Sequence, residues 1–365
     1  MARRRKIRQP LSIGGAEIEP GETQDVRLKV SESYAGDPLA MVLRVIRAER
    51  PGPTVFVTAA VHGDELNGTG IIRELMIGRP PPLVAGTLIC VPVVNVFGFE
   101  THDRYLPDRR DLNRSFPGAD SGSLASRLAA ILFSELVLKC DFGIDLHTAA
   151  VRRTNFPNIR ADLADPGVRR LAHSFGCELI VNDRGPLNTL RREATRAGCP
   201  TIILEAGEVW KIEPGVVEMG VRGVDNVLIE LGMMEGDPVR PLYQTRIDRT
   251  TWVRAEVGGI LRFFVAPGDV VEAGQPLAAN MSLFGDARSI LIAPADGIIL
   301  GMTTLPAVKP GEPVVHIATP KRSARSIRRS MQGMPRDALY QQIRRQLATS
   351  VSVHQYDDED ASGLS

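Results

Sequence analysis

A histidine and a glutamate three residues apart, His62 and Glu65 in HGDE, follow directly on a run of β-branched and aromatic residues from Thr54 to Thr58. Such a run reads as a buried strand of a parallel sheet ending near Val61. The apolar spacing behind it (Leu66, Ile71, Ile72, Leu75, Met76) predicts a helix running to Gly78. The strand tip therefore presents an imidazole and a carboxylate, with Gly63 between them to allow a tight turn. Nitrogen and oxygen ligands so arranged suit Zn²⁺, and a catalytic zinc takes three protein ligands and keeps one position open for water. His147, at the end of a second strand-like run, DFGIDLHT from Asp141 to Thr148, offers the third. Asp145, two residues earlier on the same strand face, either orients that imidazole or bonds to neighbouring backbone. A single histidine is more often a helix cap or a satisfied core residue, but two of them ending separate strands favour a metal. Glu205, near the end of the apolar run TIILEAGE, is placed to act as general base and proton shuttle, with Glu208 as the competing acid. The loop Arg104 to Arg114 sets four arginines among Asp108, Asp111 and Asn113, and an arginine beside an asparagine is good chemistry for a carboxylate.

These residues need strands to carry them and helices to space the strands. Thr87 to Asn95 is a further apolar strand, and Ser123 to Lys139, Ala164 to Phe175 and Leu190 to Ala197 carry helical spacing. Alternating strands from Val26 to Val30 and Met41 to Ile46 begin or edge the sheet. Such alternation predicts an α/β fold with a doubly wound, mixed sheet, in which ligands gather at the carboxyl ends of the strands. From Leu242 the pattern changes to short strands, glycines and turn prolines. Gly258 to Ala278 and Asp296 to Ala318 resemble one another, which predicts a small all-β domain of two related halves similar to the hammerhead, or barrel-sandwich, of biotinyl and lipoyl carriers. Such carriers modify a lysine, and none occurs between Lys211 and Lys309. The division expected is 1–241 for a zinc hydrolase α/β domain, 242–319 for the β-rich domain and 320–365 for a charged, flexible tail. That tail holds the basic KRSARSIRR, a short helix from Ala338 to Leu347 and an acidic block from Asp357 to Asp360.

Forty-four basic residues against forty-three acidic ones leave a net charge of +1, so no global field recruits nucleic acid or membrane. No apolar run approaches the roughly 18 residues of a membrane span, and the basic start MARRRKIRQP leads into no hydrophobic signal core. Cys90, Cys140, Cys177 and Cys199 show no C-x-x-C spacing and read as reduced structural thiols. A cytoplasmic protein is the expectation.

Four pieces in fixed order, HGDE at His62, RDLNRSFPG at Arg110, DLHT at Asp145 and LEAGE at Leu204, resemble the succinylglutamate desuccinylase and aspartoacylase family, a branch of the zinc carboxypeptidase-like enzymes. The resemblance covers about Arg50 to Met234, and the later β-rich segment is similar to the family's C-terminal domain. It implies that His62, Glu65 and His147 hold one zinc ion per chain, that Glu205 shuttles the proton, and that Asn113 and Arg114 clamp a substrate carboxylate. It also implies a carbonyl-polarising arginine, best matched at Arg104 with Arg109 or Arg110 as alternatives, and a further carboxylate-binding arginine at Arg191. The family's C-terminal tyrosine aligns with no motif here, and Tyr243 is the candidate for it. The activity implied is hydrolysis of the amide bond of an N-acyl amino acid, a small carboxylate-bearing molecule. A metallocarboxypeptidase acting on a peptide or modified protein shares the chemistry. A non-catalytic carboxylate-binding module would have lost a ligand or Glu205, and this chain keeps them all. The oligomeric state stays open, a homo-oligomer included.

Overall fold

The structure, a computed structural model, describes residues 11–77, 80–335 and 337–356. The basic start and the acidic block from Asp357 lie outside the described residues. Strands Thr54–Ala59, Thr87–Val91, Phe142–His147 and Thr201–Glu208 run parallel at the centre of a twelve-stranded sheet. Their apolar runs are continuous because both faces are covered. Val55, Val57 and Ala59 pack with Ile71, Leu171 and Val224 from helices Asn67–Met76, Pro166–Phe175 and Pro214–Glu230. Phe56 points the other way, against Leu128 and Leu190 from helices Leu124–Glu135 and Leu190–Arg196. This is the doubly wound α/β arrangement, and antiparallel strands flank its parallel centre, so the sheet is mixed.

Strand order across the sheet runs Val270–Val271, Gly297–Thr303, Pro313–Pro320, Thr245–Arg254, Leu179–Asn182, Arg153–Ala161, Thr201–Glu208, Phe142–His147, Thr54–Ala59, Thr87–Val91, Pro38–Arg47 and Thr23–Glu32. The β-rich segment is thus hydrogen-bonded into the main sheet: Thr245 to Ile247 pair in parallel with Leu179 to Val181, and Gly301 to Thr303 pair with Asn155 to Arg153. A second, four-stranded sheet, built from Gly259–Phe263, Pro276–Met281, Ala287–Ile292 and Ala307–Val308, faces this end across a core of Phe263, Leu277, Ile299 and Val315.

Two expectations are corrected. Strand Arg153–Ala161 is absent from the sequence reading because Pro157 interrupts it, and proline cannot donate to a ladder. The register with Thr201–Glu208 steps from Glu205 opposite Asn158 to Gly207 opposite Asn155, so Pro157 falls in the irregularity. The second correction concerns the tail, expected to be solvated. Helices Ala324–Gln332 and Leu339–Thr349 instead bury Ile327, Leu339, Tyr340, Ile343 and Leu347 in the main core. Burying each of the four aliphatic side chains among them contributes roughly 1.5–3 kcal/mol. The basic residues find partners on the β-rich segment, Arg328 on Glu272 and Arg344 on Asp269.

Candidate metal and substrate site

The HGDE tip is held from below. Val94 N–H donates to Ala59 O and Asn95 N–H to Ala60 O, while Ala60 takes a left-handed φ of 49° to turn the chain out of the sheet. Gly63, expected to provide the turn, is not left-handed. It is needed for a different reason: a Cβ there would lie 1.9 Å from the carbonyl carbon of Gly98, so two backbones meet where no side chain fits.

His62, Glu65 and His147 are all buried and their ligating atoms lie within 4.8 Å of one another. Glu65 sits between the histidines, with Oε1 2.7 Å from His62 Nδ1 and Oε2 2.8 Å from His147 Nδ1. The far nitrogens are anchored to carboxylates, His62 Nε2 to Asp111 Oδ1 at 3.1 Å and His147 Nε2 to Asp145 Oδ2 at 2.8 Å. Asp145 is itself fixed by the hydroxyl of Thr58, which donates to Oδ1 at 2.8 Å. Both Nδ1 atoms therefore face Glu65 with their orientation set from behind, as metal-ligating histidines require. Burial opposes a charge on His62, but Glu65 and Asp111 outweigh it and raise its pKa. His147 is raised further, because Asp145 and Glu65 overcome the same burial. Burial would push Glu65 up, and the two imidazoles instead hold it well below the usual carboxylate range. A site that draws in positive charge and offers N, O and N donors fits a divalent metal ion.

Eight of the residues singled out in the sequence, His62, Glu65, Arg104, Asn113, Arg114, His147, Arg191 and Glu205, line one cleft of about 360 Å³. Arg104 stands at its metal end, with Nη1 3.3 Å from Glu65 Oε1 and Nη2 donating to Asp111 Oδ2 at 3.0 Å; Arg109 and Arg110 are not among the lining residues. Asn113 Oδ1 accepts from Leu190 N–H at 2.8 Å, leaving its Nδ2 for a ligand beside Arg114. Arg191 is buried, donates to the carbonyl of Asp183, and has its pKa lowered by burial. Glu205 faces His147 across the parallel ladder, its Oε2 accepting from Asn155 Nδ2 at 3.1 Å and its Oε1 3.5 Å from Arg160 Nε. Glu208, the competing acid, is taken up by Lys211 and by the Thr304 hydroxyl outside the cleft. Tyr243 is buried against Tyr340 and does not line it.

Among the lining residues that escaped sequence reasoning are Arg153, Asn155 and Arg160 on the proline-broken strand, and Trp252 and His316 from the β-rich segment. The alternation of Arg153 and Asn155 with buried Thr154 and Phe156 ahead of Pro157 was a weak signal; Trp252 and His316 carried none, since only the pairing of their segment with the main sheet brings them to the cleft.

Residues 51–231 match the succinylglutamate desuccinylase/aspartoacylase catalytic domain model. N-alpha-acetyl-L-2,4-diaminobutyric acid deacetylase from Halomonas elongata is 29% identical over 301 residues, covering 79% of this chain and 87% of that protein. The crystal structure of succinylglutamate desuccinylase/aspartoacylase from Rhodobacter sphaeroides is 26% identical and superposes with a TM-score of 0.71, covering 82% of this chain and 96% of the other. A product-bound structure of the ectoine utilization protein EutE from Ruegeria pomeroyi shares the fold, with a TM-score of 0.74 at 22% identity over 87% of this chain and 100% of that one. The matched catalytic segment contains the four parallel strands and every one of the eight site residues, and the chain belongs to the succinylglutamate desuccinylase/aspartoacylase family.

Proposed function

We propose that the protein is a zinc-dependent deacylase that hydrolyses the amide bond of an N-acyl amino acid. The observation that carries this reading is the convergence in one cleft of His62, Glu65 and His147 with Glu205 and the Asn113–Arg114 pair. Zinc, when bound by those three ligands, supplies a Lewis acid that lowers the pKa of water and polarises a carbonyl. Asn113 Nδ2 and the Arg114 guanidinium take the α-carboxylate of the substrate and fix the amide in register with the metal ligands. Glu205 receives the proton of the attacking water and passes it to the departing amine nitrogen. Its two oxygens are steered by Asn155 and Arg160, so it meets the reacting atoms in one orientation. Arg104, beside Glu65, donates toward the carbonyl oxygen as negative charge develops on it. Arg191 adds positive charge to the amino-acid side of the cleft.

The two facing four-stranded layers of the β-rich segment read as a hammerhead-like unit that serves as a wall. The tip of its Pro276–Met281 and Ala287–Ile292 hairpin carries Leu283 and Phe284 and no lysine to modify. The test is amine release from N-acetyl, N-succinyl and peptide substrates by protein whose metal content is measured alongside. One zinc per chain and hydrolysis of N-acyl amino acids are expected; purified protein that takes up no stoichiometric metal would sink the reading.

A further inference from the structure

Strand Arg153–Ala161 holds Glu205 at a place where its own pairing is irregular. Asn158 stands opposite Glu205 and Asn155 opposite Gly207, so Phe156 and Pro157 share the space facing Ala206 alone. At such a bulge the ladder no longer fixes the backbone, and other contacts must. Yet two bonds that fix the base start from this stretch. Asn155 Nδ2 donates to Glu205 Oε2 at 3.1 Å, and Asn158 Nδ2 donates to the carbonyl of Glu205 at 3.2 Å and to that of Phe156 at 2.9 Å. Whatever holds Phe156 therefore steadies both.

Phe156 is fully buried in the main core and does not line the cleft. Its ring packs against Tyr340 of helix Leu339–Thr349, with centroids 4.8 Å apart and planes at 59°, an attractive aromatic geometry. Gly268, with a left-handed φ of 90°, closes another side: a Cβ there would come within 2.7 Å of the Phe156 ring. Tyr340 ties these walls together, since its hydroxyl donates to the Gly268 carbonyl at 2.8 Å and accepts from the Tyr243 hydroxyl at 3.3 Å. One turn further along, Arg344 pairs with Asp269, next to Gly268. Ile343 fits against Gly215 of helix Pro214–Glu230, where a Cβ would lie 2.9 Å from its Cγ1. The tail helix is thus fastened to the main domain and to the β-rich segment, and Tyr340 carries its ring contact with the strand that holds the base.

We propose that Tyr340 is a positioning residue for the hydrolytic step: by clamping Phe156 from behind it fixes the stretch from Asn155 to Asn158, and through it the orientation of Glu205. The reaction it serves rests on the deacylase reading; the clamp itself rests on the packing alone. A base displaced by about 1 Å loses turnover, while the contacts of Asn113 and Arg114 with the bound substrate are untouched. The C-terminal helices then belong to the catalytic unit, although none of their residues lines the cleft.

The test uses the whole, zinc-loaded chain with N-acetyl and N-succinyl amino acids, rates being taken per bound zinc. Tyr340→Leu should lower kcat by about tenfold with KM within about twofold of the parent. Tyr340→Phe keeps the ring against Phe156 and should stay within about threefold. Ile327→Ala, a cavity in the neighbouring tail helix, should lower Tm and leave kcat unchanged. In the Asn155→Ala background Tyr340→Leu should cost less than about twofold more, because the contact it acts through is gone. Should Tyr340→Leu not fold, Phe156→Leu reads the same contact from the other side, with the same expected loss and the same lack of additivity. Amide exchange followed by mass spectrometry needs no turnover: residues 154–158 should exchange about tenfold faster in Tyr340→Leu, and residues 142–147 at the parental rate. If no N-acyl amino acid is cleaved, the deacylase reading fails and the exchange still decides the clamp. Parental exchange over 154–158, a kcat within about twofold of the parent in Tyr340→Leu, or a loss that multiplies independently with that of Asn155→Ala overturns the proposal.

Discussion

Asn155 donates from Nδ2 to Oε2 of Glu205, and the residue opposite Asn155 in the neighbouring strand, Gly301, is what leaves room for that amide. A Cβ on Gly301 would stand 2.6 Å from Asn155 Oδ1. A hydrogen bond to a charged group contributes about 1.5–3 kcal/mol. Asn155→Ala and Gly301→Val should therefore each lower kcat by about 10- to 100-fold, with KM and bound metal little changed. Steady-state kinetics with metal analysis checks it, and an effect confined to KM would show that the amide serves binding instead.

Replacing Glu205 by Gln keeps the shape and the acceptor oxygen for Asn155 but removes the base. We expect kcat to fall by about 10²- to 10⁴-fold while zinc content stays at one per chain. A variant as active as the parent would remove Glu205 from the proton path and leave the metal site standing.

The carboxylates behind the histidines fix which nitrogen faces Glu65, and so which would face a metal ion held there. Asp145→Asn and Asp111→Asn should each weaken metal affinity by about 10- to 100-fold, measured by competition with a chromophoric chelator. Gly63→Ala should do more damage than either, because the collision is with the Gly98 backbone and cannot be relieved by a rotamer. Unchanged zinc affinity in Gly63→Ala would show that the tip can move away from Gly98.

Stability should depend on pH through Glu178, at the junction between the main sheet and the β-rich segment. Burial pushes its carboxyl up to about 7 from a starting value of 4.5, and Oε2 has no hydrogen-bond partner. Between these values the folded protein keeps a proton that the unfolded chain has released, so stability falls as pH rises from about 4.5 to about 7 and then levels off. The whole fall amounts to roughly 3 kcal/mol. Glu178→Gln should flatten the profile and be the more stable protein at pH 8. Denaturant unfolding at pH 5 and pH 8 decides this, and parallel profiles for the two proteins would exclude Glu178 as the cause.

The parallel centre of the sheet was legible because its strands are buried on both faces and end in polar residues, so Thr54 to His62, Asp141 to His147 and Thr201 to Glu205 each announce a strand and its tip. The placement of Asn113 and Arg114 followed from motif order. Arg153, Asn155 and Arg160 were hidden because Pro157 breaks the period on which strand recognition depends. Trp252 and His316 could not be read at all, since their proximity to the cleft arises from the pairing of Thr245 to Ile247 with Leu179 to Val181 and of Gly301 to Thr303 with Asn155 to Arg153, segments far apart in the chain; no local spacing encodes it. The docking of Leu339, Ile343 and Leu347 was half visible: the helical face was there, and its burial depended on a partner surface far along the chain.

The ladder from Asn155 to Gly301 and from Leu179 to Thr245 has one further consequence. Trp252 and His316 ride on strands that are hydrogen-bonded into the same sheet as Glu205, so the wall they form cannot swing aside as a hinged lid without breaking main-chain bonds. On that side the cleft is bounded by the sheet itself. Substrates are then sorted by whether they fit and what charge they carry on arrival, and traffic through the cleft is left to the movement of individual side chains.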